Sequence, residues 1–235
     1  MPLPRLALIV LAVALGVAGC GDDSQAPAPT TAPAGVQPAG VYDYATEGSE
    51  RIGGPLPGSH RYGPASTIRV DVAGCDLTER WEAIPERSAE WRYCITGKTW
   101  RLESVDDYHE FFGQVERNSY RCSGRRVPRP AQIEEGFRWT DRCRARRTLA
   151  VARGEVVSTG PLAAAGEQVE AVHLRVKTVL TGRATGAYVM DSWLRRSDGL
   201  LLRRTFESET RVRSAVGIVP ARERYTLRIR SLTPR

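Results

Sequence analysis

The chain has 235 residues, 41% of them hydrophobic, with 34 basic against 27 acidic side chains and a formal net charge of +7. That length fits one domain or two small ones and is enough to bury a sizeable core. Its three histidines, His60, His109 and His173, lie far apart, and no His-Glu-x-x-His, Gly-x-Ser-x-Gly or Ser-x-x-Lys run occurs, which excludes the common signatures of zinc peptidases, esterases and serine acyltransferases.

The amino terminus sets the compartment. Residues 1–5 are short and positively charged, and residues 6–19 are unbroken apolar sequence, too short and too one-sided for a permanent membrane helix. This is the pattern of an export signal. The run Val17-Ala18-Gly19-Cys20 resembles the lipobox of bacterial lipoproteins. The resemblance covers the first twenty residues. It implies that residues 1–19 are removed as a signal peptide, that the Cys20 thiol takes a diacylglyceryl group, and that lipid alone holds the chain on the extracytoplasmic face of the cell membrane. The plainer alternative is a secretory signal followed by an unrelated cysteine.

Lys98 and Lys177 are the only lysines, so the basic excess is almost wholly arginine. Arginine in place of lysine, with abundant Ala and Gly, marks a GC-rich coding sequence and fits an actinobacterial host. For an exported, tethered chain the expected partners of a basic surface are anionic lipid headgroups or cell-wall polymers, with no nucleic acid. A net charge that only keeps the domain soluble is the alternative.

Residues 20–40 are rich in Ala, Pro and Thr and poor in large apolar side chains, so they are expected to form a disordered tether after Cys20. At ~3.1 Å per residue such a tether reaches about 60 Å. The folded domain is expected over 41–235 and reads almost entirely as strands. Ile68, Val70 and Val72 alternate with polar residues, as do Trp91, Tyr93 and Ile95, then Trp100 and Leu102 beyond a Gly97-Lys98 turn. Val172, Leu174 and Val176 continue the pattern, Ser197-Asp198-Gly199 signals a hairpin, and Tyr225, Leu227 and Ile229 mark a last strand. Residues 104–114 and 131–136 have room for a helical turn or two. The chain also echoes itself 102 positions apart, with Val70 on Val172, Trp91 on Trp193 and Gly97 on Gly199. The expected fold is all-β with minor α: a curved antiparallel sheet or half-barrel, either continuous or in two halves, 41–120 and 148–235.

Beyond Cys20, the four cysteines Cys75, Cys94, Cys122 and Cys143 form an even set in an exported domain. Three connectivities are open. The local one, Cys75–Cys94 and Cys122–Cys143, closes two loops of about twenty residues, each contributing roughly 3 kcal/mol on a loop-entropy argument. Zinc is the alternative, but no two cysteines have the close spacing of a structural site, and neither metal nor cofactor is expected.

Adjacent carboxylates such as Asp106 and Asp107 point to opposite faces of a strand and make a poor catalytic dyad. Two features remain as candidate sites. Trp81, Trp91 and Trp100 are candidates to line a pocket for an amphiphile, or else to fill the core. Arg125, Arg126, Arg129, Arg142 and Arg144 form a candidate basic surface, or else a solvated loop around a disulfide. Over residues 41–232 the strand pattern resembles that of exported half-barrel lipid-carrier lipoproteins. The resemblance implies a lipid-anchored, non-catalytic envelope protein that binds a lipid or other amphiphile, and it transfers no ligand residues. The rival is an interaction module that holds an envelope protein or anionic polymer, and an envelope hydrolase is third.

Overall fold

The computed structural model describes residues 35–54, 56–214 and 217–235. The expected signal peptide, the expected lipidation residue Cys20 and most of the expected tether lie outside the described residues. The alternating pattern builds fourteen strands among the described residues: β1 (Gly40–Ile52), β2 (Gly58–Tyr62), β3 (Ala65–Ala73), β4 (Asp76–Ile84), β5 (Arg87–Thr96), β6 (Thr99–Phe111), β7 (Gln114–Gly124), β8 (Val127–Pro128), β9 (Arg138–Ala145), β10 (Thr148–Ala164), β11 (Glu167–Gly182), β12 (Ala184–Arg195), β13 (Leu201–Ser214) and β14 (Gly217–Ile229).

Nearly every strand pairs antiparallel with the next in sequence. The last then returns to the first, with Tyr44 opposite Ile229 through to Ile52 opposite Ala221. With β2 and β8 off the path, the other twelve strands form a closed ring. The all-β fold and the curved antiparallel sheet are as expected; the curvature runs all the way round into a full barrel, and closure removes the free edges that an open sheet exposes. There are no two halves. Residues 121–148, expected to join them, include the end of β7, all of β9 and the start of β10, which pair within the ring. Nor does the internal echo describe a duplication. It superposes β3 on β11, which run in opposite directions along the barrel, and finds no counterpart for β4.

The expected helical turns fare differently. Residues 104–111 are strand, because Val105, Asp107, His109 and Phe111 alternate into the lumen, and the two polar members hid the two-residue period. At 131–136 no helix forms either: two separate turns do, one closed by the Ile133 N–H on the Arg129 carbonyl (3.0 Å) and one by the Phe137 N–H on the Glu134 carbonyl (3.2 Å).

The two ends of the barrel differ. At one end, residues 127–137 fold inward and bury Val127 and Ile133. The chain's described start joins them there, and Val36 and Gln37 are buried too. Residues before the expected boundary at 41 thus belong to the fold: Val36 joins the core and the Gln37 amide donates to Glu79 (2.7 Å). Tyr42, Tyr44, Ile68, Trp81, Leu201 and Leu227 fill this half solidly. Fully burying side chains of that size contributes roughly 1.5–3 kcal/mol each. Tyr44 on β1 reaches past β14 to donate to the Leu201 carbonyl on β13 (2.7 Å).

The cysteines pair Cys75–Cys94 and Cys122–Cys143. The second joins directly opposed residues of β7 and β9, at the point where the chain has left the ladder for 125–137. Among the described residues, no cluster of His, Cys, Asp or Glu is arranged to hold a metal ion.

Candidate functional site: the barrel lumen

The half of the barrel away from the plug is hollow, and the sequence of β10 shows why. Its inward positions Ala150, Ala152 and Gly154 are small, and Ala184 continues the series on β12. Leu102, Val105, Leu180, Met190, Phe206 and Val212 line the same space, with Leu180 directly beside Ala150 on β11, and beside such small residues they leave it unfilled. The result is a cavity of about 570 Å³ that opens at the unplugged end. Gly154 has a specific role: the Trp139 indole lies across it, 2.2 Å from where a Cβ would stand.

Polar groups are gathered at defined points of this apolar wall. On the floor, Arg204 stacks its guanidinium over Trp91 (4.3 Å), donates from Nε to Ser192 Oγ (3.3 Å) and faces Glu79 at 3.9 Å. Its Nη1 is buried without a protein partner, and so is Asp141 Oδ1 on the neighbouring wall. Burial pushes the Asp141 carboxyl above its ordinary range, against the opposing hydrogen bond from the Trp139 indole N–H (3.1 Å). Higher up, Arg87 makes a two-pronged pair with Glu223 (Nε to Oε1 2.9 Å, Nη2 to Oε2 3.2 Å), a second pair with Asp107 (3.0 Å), and Tyr62 donates to Glu223 (2.8 Å). Burial also pushes the Tyr188 hydroxyl up to about 12.

Near the mouth the wall is differently made. The β4–β5 hairpin is short, and β2 lies beside β1 in the space beyond it, pairing with β1 alone. Side chains span the seam between β2 and β6. The buried Glu50 carboxylate accepts from Nδ1 of His60 (2.8 Å) and Nδ1 of His109 (2.6 Å), and the His60 ring stacks on Phe111 (4.4 Å).

The candidate residues from sequence are divided by the fold. Trp91 and Trp100 line the cavity, Trp100 stacked on Tyr93 (5.4 Å). Trp81 does not. It is fully buried in the packed half, 4.3 Å from Tyr225, with its N–H on Ser66 Oγ (3.0 Å), so Tyr62 and Tyr225 fill the space that a pocket needs. The arginine cluster is also split. Arg125, Arg126, Arg142 and Arg144 are exposed on the outer surface, whereas Arg129 turns to the carbonyls of Gly97 (3.1 Å) and Gly35 and ties the chain's start to the plug. The charged lumen went unread from sequence, although a signal existed. Glu79 falls in phase with Leu77, Trp81 and Ala83; Glu223 falls in phase with Tyr225 and Leu227. A charge on the apolar phase of a strand marks a buried polar network.

The outer surface carries charge on every side, for example Arg69, Arg80, Arg142 and Arg153, so the barrel lacks the apolar outer band of a membrane-spanning one. No family model matches the sequence, and no curated protein does. Among solved structures the chain is similar to a hypothetical lipoprotein, YmcC of Escherichia coli, at 12% identity and a TM-score of 0.34, over 80% of this chain and 85% of that one.

Proposed function

We propose that the protein is a non-catalytic envelope lipoprotein, lipid-anchored through Cys20 on the extracytoplasmic face, whose barrel lumen binds an amphiphile. The observation that carries the reading is the cavity of about 570 Å³ with apolar walls and a polar floor. That size falls within the range of small-molecule sites, which are mostly apolar with a few placed polar groups. The apolar wall of β10–β12 suits a hydrocarbon chain, and Arg204, Ser192 and Asp141 suit the polar end of the same molecule.

Filling the lumen tests this. Ala152→Phe and Ala184→Phe place rings in the cavity, and both variants should lose uptake of a fluorescent fatty acid by tenfold or more while keeping the parent's unfolding midpoint. Uptake unchanged in both would contradict the reading. The second reading, an interaction module, rests on the exposed Arg125, Arg126, Arg142 and Arg144. It gains if Arg142→Glu with Arg144→Glu abolishes retention on anionic cell-wall polymer while fatty-acid uptake is absent from the parent.

A further inference from the structure

We propose that the open end of the barrel docks on an anionic lipid bilayer, so that the lumen faces the membrane. The exposed apolar side chains of this molecule are not scattered. Leu56, Phe112 and Ile218 are 69%, 64% and 61% exposed, and all three lie in or beside the connections at the open end. Val115 stands next to them on β7, and the plugged end carries no large hydrophobic residue of comparable exposure among the described residues. Single exposed apolar residues need no explanation, but a set collected at one end of a barrel does.

Their placement is built. Phe112 occupies the tip of the β6–β7 hairpin with a φ of 54°, a backbone conformation that a bulky residue seldom adopts. Gly58 lies under it, with the Phe111 and Phe112 rings within 3.0 Å of where a Cβ would stand. The β1–β2 and β6–β7 connections thus meet at the mouth and raise one apolar edge beside it.

The charge at this end points to an anionic surface. Arg146 and Arg147 form the β9–β10 turn, and with Arg183 and Arg213 they surround a shallow depression. Arg183 is paired with Glu116 (3.3 Å). Arg146, Arg147 and Arg213 are exposed and have no acid within ion-pair distance among the described residues. Apolar tips with arginines around them are what an interfacial surface needs: the tips enter the headgroup region and the guanidiniums meet phosphate, at about 1 kcal/mol per basic residue on an anionic leaflet. A protein partner could use the apolar edge, but an open lumen mouth beside it favours the source of the lumen's own ligand class. The choice of a lipid surface over a protein partner rests on the proposed reading of the lumen as an amphiphile site; the apolar tips and the arginines are placed at the mouth independently of it.

The test uses the full chain as purified from membranes and reconstituted into vesicles. An environment-sensitive fluorophore is attached at Phe112→Cys and, at the plugged end, at Glu167→Cys. With phosphatidylglycerol in the vesicles, the probe at 112 should shift to the blue and be quenched by brominated acyl chains, while the probe at 167 should do neither. Arg146→Glu with Arg147→Glu should reduce the 112 signal at least twentyfold, the product of about fivefold per arginine. Amide hydrogen exchange across residues 109–116 on the unsubstituted chain, slowed by the same vesicles, checks that the label is not the cause. Equal, water-like emission at 112 and 167 in these vesicles overturns the proposal and leaves the apolar edge to a protein partner. A 112 probe that enters pure phosphatidylcholine vesicles equally well overturns the part assigned to arginine. Because the probe reports depth at the tip, its failure is separate from a failure of fatty-acid uptake.

Discussion

Arg87 and Glu223 lie 136 residues apart in sequence and face each other through two hydrogen bonds inside the barrel, both side chains almost wholly removed from water. The pair ties β5 to β14, strands that share no backbone ladder, beside the cavity.

Removing one partner leaves a buried charge uncompensated. Arg87→Met or Glu223→Leu alone should each cost about 3–5 kcal/mol in urea unfolding, whereas the double replacement should recover much of that loss. Additive losses in the double variant would mean that the two side chains act separately.

The tryptophans divide by position. Trp81→Ala empties a packed site and should cost about 3–5 kcal/mol. Trp100→Ala trims a cavity wall and should cost about 1 kcal/mol, with fatty-acid binding weakened more than stability. Equal destabilisation by the two would place Trp100 in the packed core.

How much of this was legible in the sequence follows from what alternation can carry. Runs such as Ile68-Arg69-Val70 announce strands, and the local cysteine spacing matches the pairs that form. Closure was not legible, because the pairing of Tyr44 with Ile229 joins chain ends whose local patterns carry no sign of each other. The lumen was hidden for a different reason. Ala150 and Ala152 look like weak core residues until the ring shows that they border a cavity. Trp81 and Trp91 have the same local pattern and are both buried, and only the neighbours Tyr62 and Tyr225 keep Trp81 from the cavity that Trp91 lines.

The seam at the mouth should be sensitive to acid. Burial raises the Glu50 carboxyl, but hydrogen bonds from His109 and His60 and the nearby Arg87 outweigh it and hold it below its ordinary 4.5. A carboxylate with a depressed folded pKa adds stability that is complete above its unfolded value and is lost as pH falls through the folded one. The stability that the Glu50 charge adds, read as the difference between the parent and Glu50→Gln, should therefore shrink as pH falls through and below the ordinary carboxylate range. A difference that does not change with pH would show that the seam does not depend on the Glu50 charge.

The Cys122–Cys143 bond closes a separation of 21 residues around the plug segment. Replacing both cysteines with serine should lower stability by about 3 kcal/mol in denaturant unfolding. It should also speed amide exchange at Ile133 more than at Leu227, because the plug is held by this bond and the β1–β14 closure is not. Uniform exchange changes would disconnect the disulfide from the plug.

The central claim is an occupied lumen, and native mass spectrometry of the full chain released from its membrane measures it most directly. The parent should carry an amphiphile that adds a discrete mass, and Ala152→Phe should be purified without it. A parent with no added mass from membranes and none after incubation with lipid extract, its fold intact, would contradict the account.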